Sequence, residues 1–153
     1  MPRSLRMEYA VAPPREKFRI ASENPVKLKL LRRILKNHSG SPALVIGQYI
    51  DQLKIIAEAL KAPLITGKTV QRERDKLYEM FRCGELRLLV LSKVGNFALD
   101  LPDAETLVQI SGTFGSRQEE AQRLGRILRP KIDNKQAHFY TIVSRETDEE
   151  MFA

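Results

Sequence analysis

Two kinds of apolar pattern alternate along the chain. Short unbroken runs end in glycine or a small polar residue, and longer stretches repeat apolar residues at three- and four-residue spacing. The first kind reads as buried parallel strand, the second as amphipathic helix. Strands are expected at Pro42–Gly47, Pro63–Thr66, Leu86–Ser92, Thr106–Ser111 and 137–143. Asn24-Pro25 signals a helix start, with Val26, Leu30, Leu31, Ile34 and Leu35 on one face and Lys27, Arg32, Arg33 and Lys36 filling the rest. Asn37, Ser39 and Gly40 stop it. After the first strand, Asp51 is placed to cap a helix carrying Leu53, Ile56, Ala57 and Leu60, with Ile50 and Ile55 as a hydrophobic staple. A helix over Val70–Arg82 buries Val70, Leu77 and Phe81, and Gly84 ends it. Ser116-Arg-Gln-Glu119 is a capping box that opens a helix through Ala121 and Leu124 to about Leu128, where Pro130 forbids continuation.

Alternating strands and helices predict an α/β fold with a mostly parallel sheet of five or six strands, covered on both faces. Ligands on such sheets sit outside the carboxyl ends of the strands. The positions singled out by that rule are Gly47-Gln48, Thr66-Gly67, Ser92-Lys93 and Ser111-Gly112. Residues 1–23 read as a basic leader or linker stiffened by Pro13-Pro14, residues 24–145 as the domain, and residues 146–153 as an acidic tail past which the natural chain is expected to continue.

The 153 residues suit one domain, and 42% apolar with 29% charged residues is a globular balance. No apolar run reaches the roughly 20 residues a bilayer demands, and MPRSLRMEYAVAPP carries no apolar signal core. One cysteine, Cys83, excludes an internal disulfide framework, and two histidines 100 residues apart argue against structural zinc. A soluble protein of the cytosol, without a membrane partner, is expected. The net charge of +7 is concentrated: residues 1–40 hold ten Lys/Arg against three Asp/Glu, and residues 41–153 hold sixteen of each. A polyanion partner is suggested, with a solvated basic helix as the plainer reading. His138 reads as a core histidine, His38 as a helix C-terminal ring favoured when positive by the dipole, and Cys83 as a small structural residue.

Ala62-Pro-Leu-Ile-Thr-Gly-Lys-Thr69 fits a loosened phosphate-loop pattern, but alanine stands where the strict pattern needs glycine. Pro63 to Ile65 read as the strand itself, which leaves no loop to wrap phosphates, so a phosphate-binding loop is declined here.

The strongest chemical signal is Gln122-Arg-Leu-Gly-Arg-Ile-Leu-Arg129. On a helix, Gln122, Arg126 and Arg129 share one edge, at spacings of four and three. Two permanently charged planar forks suit the oxygens of a transferring phosphoryl group. The eight residues resemble motif VI of superfamily-2 helicases, Q-R-x-G-R-x-x-R. Ser92-Lys-Val-Gly-Asn-Phe-Ala-Leu-Asp-Leu-Pro102 is similar to motif V, Ala43–Gln48 occupies the motif IV strand, and Thr66-Gly67, Gln71, Arg74, Phe81 and Gly84 resemble the segment between them. The run Ile110–Pro130 is closest to XPB-like helicases, their bacterial members in particular, and the resemblance covers about residues 24–145.

That resemblance implies a RecA-like three-layer α/β/α lobe, a P-loop NTPase fold without its own P-loop. It implies the second motor lobe of an ATP-dependent 3′-to-5′ DNA helicase or translocase of DNA repair, inactive alone. ATP and Mg2+ would sit mainly on a first RecA-like lobe, which is also a partner, beside single-stranded or forked DNA and a candidate repair nuclease. Arg126 and Arg129 would reach the γ-phosphate, and Gln122 would sense the nucleotide across the cleft. Asp100 matches an acid that contacts the ribose, with a loop cap before Pro102 as the competing reading, and Gly95 would permit close approach in the same loop. Gly47, Gln48, Thr66, Gly67, Ser92 and Lys93, with Arg74 and Thr113 as weaker candidates, match positions that grip DNA phosphates. Asn96 and Ala98 depart from Asp and Gly of other branches. The alternatives are a stand-alone nucleic-acid-binding module and, last, a small doubly wound enzyme, for which no nucleophile–base pair is evident.

Overall fold

The computed structural model describes residues 1–92, 104–111 and 137–152. Its elements are α1 (Arg3–Val11), α2 (Pro14–Ser22), α3 (Val26–Asn37), β1 (Ala43–Gly47), α4 (Ile50–Leu60), β2 (Leu64–Ile65), α5 (Gln71–Arg82), β3 (Leu88–Ser92), β4 (Thr106–Gln109), β5 (His138–Thr141) and α6 (Asp148–Phe152). The five described strands form one sheet in the order β2-β3-β1-β4-β5, and every pairing is parallel. The register sets Gly47 beside Ser92, Ile65 beside Leu91 and Ile46 beside Gln109, so the carboxyl ends of the strands meet along one edge.

Strand alternation sorts the core into two layers. Leu44, Ile46, Leu89, Leu91 and Leu107 point to one face, where Tyr78 and Phe81 of α5 cover them. Val45, Val90, Val108 and Ile110 point to the other, under Leu31 of α3 and Leu53, Ile56 and Ala57 of α4. β1 is buried along its whole length, because the two layers press on it from both sides. The expected strands are all present, each trimmed at one or both ends.

The expected leader folds differently. Pro2 and Pro13 precede helices rather than stiffening an extended linker, and Pro14 takes the first helical turn of α2, where a missing N–H leaves no bond unmade. Phe18, Ala21 and Ser22 are buried, so α2 docks on the body. Burying a phenylalanine contributes roughly 1.5–3 kcal/mol, enough to order a short polar helix that would be marginal alone. The acidic tail also docks: α6 places Glu149 in the interior.

Smaller departures have local causes. Pro25, not Asn24, immediately precedes α3, and Asn24 Oδ1 accepts from the Val26 N–H at 3.1 Å. The buried face of α3 is rotated from the expected one, with Lys27 inside and Val26 and Leu30 more than two-fifths exposed. Tyr49, not Asp51, precedes α4, and Ile55 is exposed, so no staple forms. Val70 precedes α5 and is exposed, its place in the core taken by Tyr78. Gly84 follows α5 at φ 87°, a left-handed conformation that suits glycine. His38 ends α3 with Nε2 2.6 Å from Tyr140 Oη and its ring centroid 4.5 Å from that of His138. Burial, and then the neighbouring His138, hold the His38 imidazole below the usual histidine range, so the positive ring expected at this helix end is disfavoured. His138 itself is half-buried in this cluster on the end strand of the described sheet.

Candidate nucleic-acid interface

The carboxyl edge is built first by a glycine. A Cβ on Gly47 would lie 2.7 Å from Ile110 Cγ2, 2.8 Å from Leu53 Cδ2 and 3.1 Å from Ser111 Oγ. Only a residue without a side chain lets β1, β4 and α4 converge there. Its neighbour continues the join: the Gln48 N–H donates to the buried Ser111 Oγ at 2.8 Å. The half-buried Gln48 side chain keeps its Oε1 out of solvent with no partner among the described residues. Ser92 is buried at the end of β3.

After β2, the chain makes a tight turn. The Thr66 N–H donates to Thr69 Oγ1 at 3.0 Å, the Lys68 N–H to Thr66 Oγ1 at 3.2 Å, and the Thr69 N–H to the Thr66 carbonyl at 3.1 Å. Arg74 Nη2 braces the turn from α5, donating to the carbonyls of Thr66 at 3.4 Å and Thr69 at 3.3 Å. These amides are consumed internally, and Leu64–Ile65 is strand. The segment 62–69 therefore does not fit a triphosphate, in line with the declined phosphate-loop match. Gly67 and Lys68 remain exposed at the tip.

Parallel register thus brings Gly47, Gln48, Thr66, Gly67 and Ser92 to one edge, while Arg74 reaches it as a brace. Lys93, Gly95, Asp100, Thr113, Gln122, Arg126 and Arg129 lie outside the described residues, as does the capping-box helix.

The sequence reading missed a buried polar network at the same edge. Lys27 Nζ lies 2.6 Å from Glu149 Oε1 and donates to the Ile110 carbonyl at 2.8 Å, with both side chains 3% exposed. Glu149 Oε2 accepts from the Ser144 N–H at 2.7 Å. Ser144 Oγ donates to the Ala21 carbonyl at 2.7 Å and accepts from Asn24 Nδ2 at 3.1 Å. Gln52 Nε2 donates to the Ser22 carbonyl at 2.7 Å. One network ties α2, α3, the end of β4 and α6 together. Burial lowers the Lys27 pKa, and the Glu149 charge and hydrogen bond partly offset the drop. The available signal was position: Lys27, Leu31 and Ile34 share the i, i+4, i+7 stripe that faces the core.

Among the described residues, no group of three or more His, Cys, Asp or Glu could hold a metal, and no helix is long and apolar enough to cross a membrane. The accessible part of this edge is Gly67 and Lys68 with the half-buried Gln48 and Thr66, groups suited to sequence-independent backbone contact, while Ser92 and Ser111 are buried.

Known proteins agree with this architecture. The C-terminal domain of the DEAD-box protein Dbp5 superposes with a TM-score of 0.66 at 17% identity, over 82% of this chain and 74% of that one. The chain is 51% identical over 153 residues to a protein of Kineococcus radiotolerans named DNA 3'-5' helicase XPB, covering all of this chain and 28% of that one. A protein of the same name from Mycobacterium tuberculosis is 53% identical over 144 residues, or 94% of this chain and 26% of that one. The chain therefore spans little more than a quarter of these relatives' length. A family model described as ERCC3/RAD25/XPB C-terminal helicase matches residues 1–153. On a matched family model and half-identical relatives along its whole length, the chain belongs to the ERCC3/RAD25/XPB C-terminal helicase family.

Proposed function

We propose that this chain is the second motor lobe of an ATP-dependent 3′-to-5′ DNA helicase or translocase acting in DNA repair. The observation that carries the reading is the complete Q-R-x-G-R-x-x-R pattern, Gln122 to Arg129, in a chain of this family. ATP with Mg2+ is the substrate, held mainly by a first lobe that lies outside this chain. Arg126 and Arg129 stabilise the charge that builds on the γ-phosphate when the lobes close, and Gln122 reports the nucleotide state. Asp100 and Gly95 approach the nucleotide from the same side. The edge that bears Gln48, Thr66, Gly67 and Ser92, continued by Lys93 and Thr113, grips the backbone of single-stranded or forked DNA. The internally bonded turn at Thr66–Thr69 supports a division of labour in which this chain contributes no phosphate loop. Alone, the chain is inactive. A repair nuclease is a natural partner for such a motor.

Substituting Arg126→Ala or Arg129→Ala in the full-length protein tests the assignment. ATP turnover is expected to fall by about 10³-fold or more, the usual worth of an arginine finger, with folding and DNA binding retained. Turnover within tenfold of the parent in both variants overturns it.

A further inference from the structure

The grip at the carboxyl edge leaves the most basic of the described elements unexplained. Helix α3 reads VKLKLLRRILKN, with five cations and no acid. Lys27 is buried against Glu149. The other four, Lys29, Arg32, Arg33 and Lys36, are exposed, and none forms an ion pair within the described residues. Their spacing is i, i+3, i+4, i+7, which stacks them in a single stripe on the side of the helix away from the sheet. Leu28, Leu31, Ile34 and Leu35 line the opposite side.

The exposed aliphatics Val26 and Leu30 flank the stripe rather than interrupt it, at about 100° of rotation per residue. Like charges at these spacings each destabilise a helix by roughly 0.2–0.5 kcal/mol, so the fold gains nothing from the arrangement. An uninterrupted row of cations complements a row of anions. At 1.5 Å per residue the stripe runs about 10 Å, which matches about three phosphates along one strand of a duplex at 3.4 Å of axis each. An acidic amphipathic peptide would instead want the apolar residues inside the row, where they could anchor its side chains.

We infer that the outer face of α3 binds the sugar-phosphate backbone of duplex DNA, without sequence preference, as a second surface separate from the carboxyl edge. The inference goes beyond the motor reading and does not depend on it, since binding is measured without nucleotide.

The test is binding of a mixed-sequence duplex to the full-length protein at 50 to 200 mM salt, for the parent and for Lys29→Gln/Arg32→Gln/Arg33→Gln/Lys36→Gln. Each phosphate that the variant no longer neutralises reduces the slope of log K against log salt by about 0.9, so about 2.7 is expected for the roughly three phosphates the stripe spans, with affinity at least tenfold weaker at the low-salt end. The charge-keeping variant Lys29→Arg/Arg33→Lys should bind as the parent does. Thermal melting of both variants should match or exceed the parent, and if the quadruple variant unfolds, the pairs Lys29→Gln/Arg33→Gln and Arg32→Gln/Lys36→Gln serve in its place. Unchanged affinity and slope in the folded variants overturn the inference. So does a result in which duplex binding is unchanged while binding of poly-glutamate disappears, because the face would then take an acidic protein.

Discussion

Helices α3 and α5 have twelve residues each and cover opposite faces of the same sheet, yet they solve the task differently. α5 buries Tyr78 and Phe81 and mixes Arg72, Arg74, Lys76 and Arg82 with Glu73, Asp75 and Glu79. Its polar contacts are local: Gln71 bonds Asp75 at 2.7 Å, Arg82 pairs with Glu79 at 3.6 Å, and Arg74 braces the neighbouring turn. α3 places a lysine in its core-facing stripe, closes it with a partner 122 residues away, and turns outward four cations that have no ion pair among the described residues. α5 is what a covering helix needs. α3 carries charge that covering does not require, and that surplus is the signal of a second task.

The comparison can be broken first at Lys27. Lys27→Met leaves Glu149 buried and charged, and stability measured by urea unfolding should fall by about 3–5 kcal/mol. Lys27→Met with Glu149→Leu removes both charges and should recover most of that loss. A double variant as unstable as the single one would show that the pair holds the fold by more than charge balance.

A smaller effect sharpens the contrast at the helix ends, where α5 closes on Cys83 and Gly84 but α3 closes on a titratable ring. The unfolded His38 takes up a proton below about pH 6.5, whereas the folded ring, with its lowered pKa, resists it. The contribution is therefore complete above pH 6.5 and is lost as pH falls below it. Melting temperature should drop on going from pH 7 to pH 5, and His38→Gln should flatten that drop. A pH profile identical in His38→Gln would remove the histidine cluster from the account.

Strands β1 and β3 were legible because a strand pressed on both faces must be apolar at every position, and Leu44–Ile46 and Leu88–Leu91 are. The edge was legible through the rule of carboxyl ends, and Gly47 proved to be a site of close approach, by strand and helix side chains. α2 was not legible, since its order comes from docking Phe18 on a distant surface rather than from its own pattern. The ionic core was hidden for the same reason: nothing near Lys27 in the chain announces Glu149. The arginine motif was legible through its spacing together with its resemblance to a helicase motif, and its residues lie outside those described.

The proposed role is one lobe of a motor, carrying groups that act on a triphosphate bound elsewhere, while the described segment 62–69 does not wrap one. The rate of ATP hydrolysis by these 153 residues alone, set beside that of the full-length protein with DNA present, tests it most directly. No turnover above background is expected for the chain, and DNA-stimulated turnover for the whole. Hydrolysis by the chain at a rate comparable to the full-length protein would contradict it.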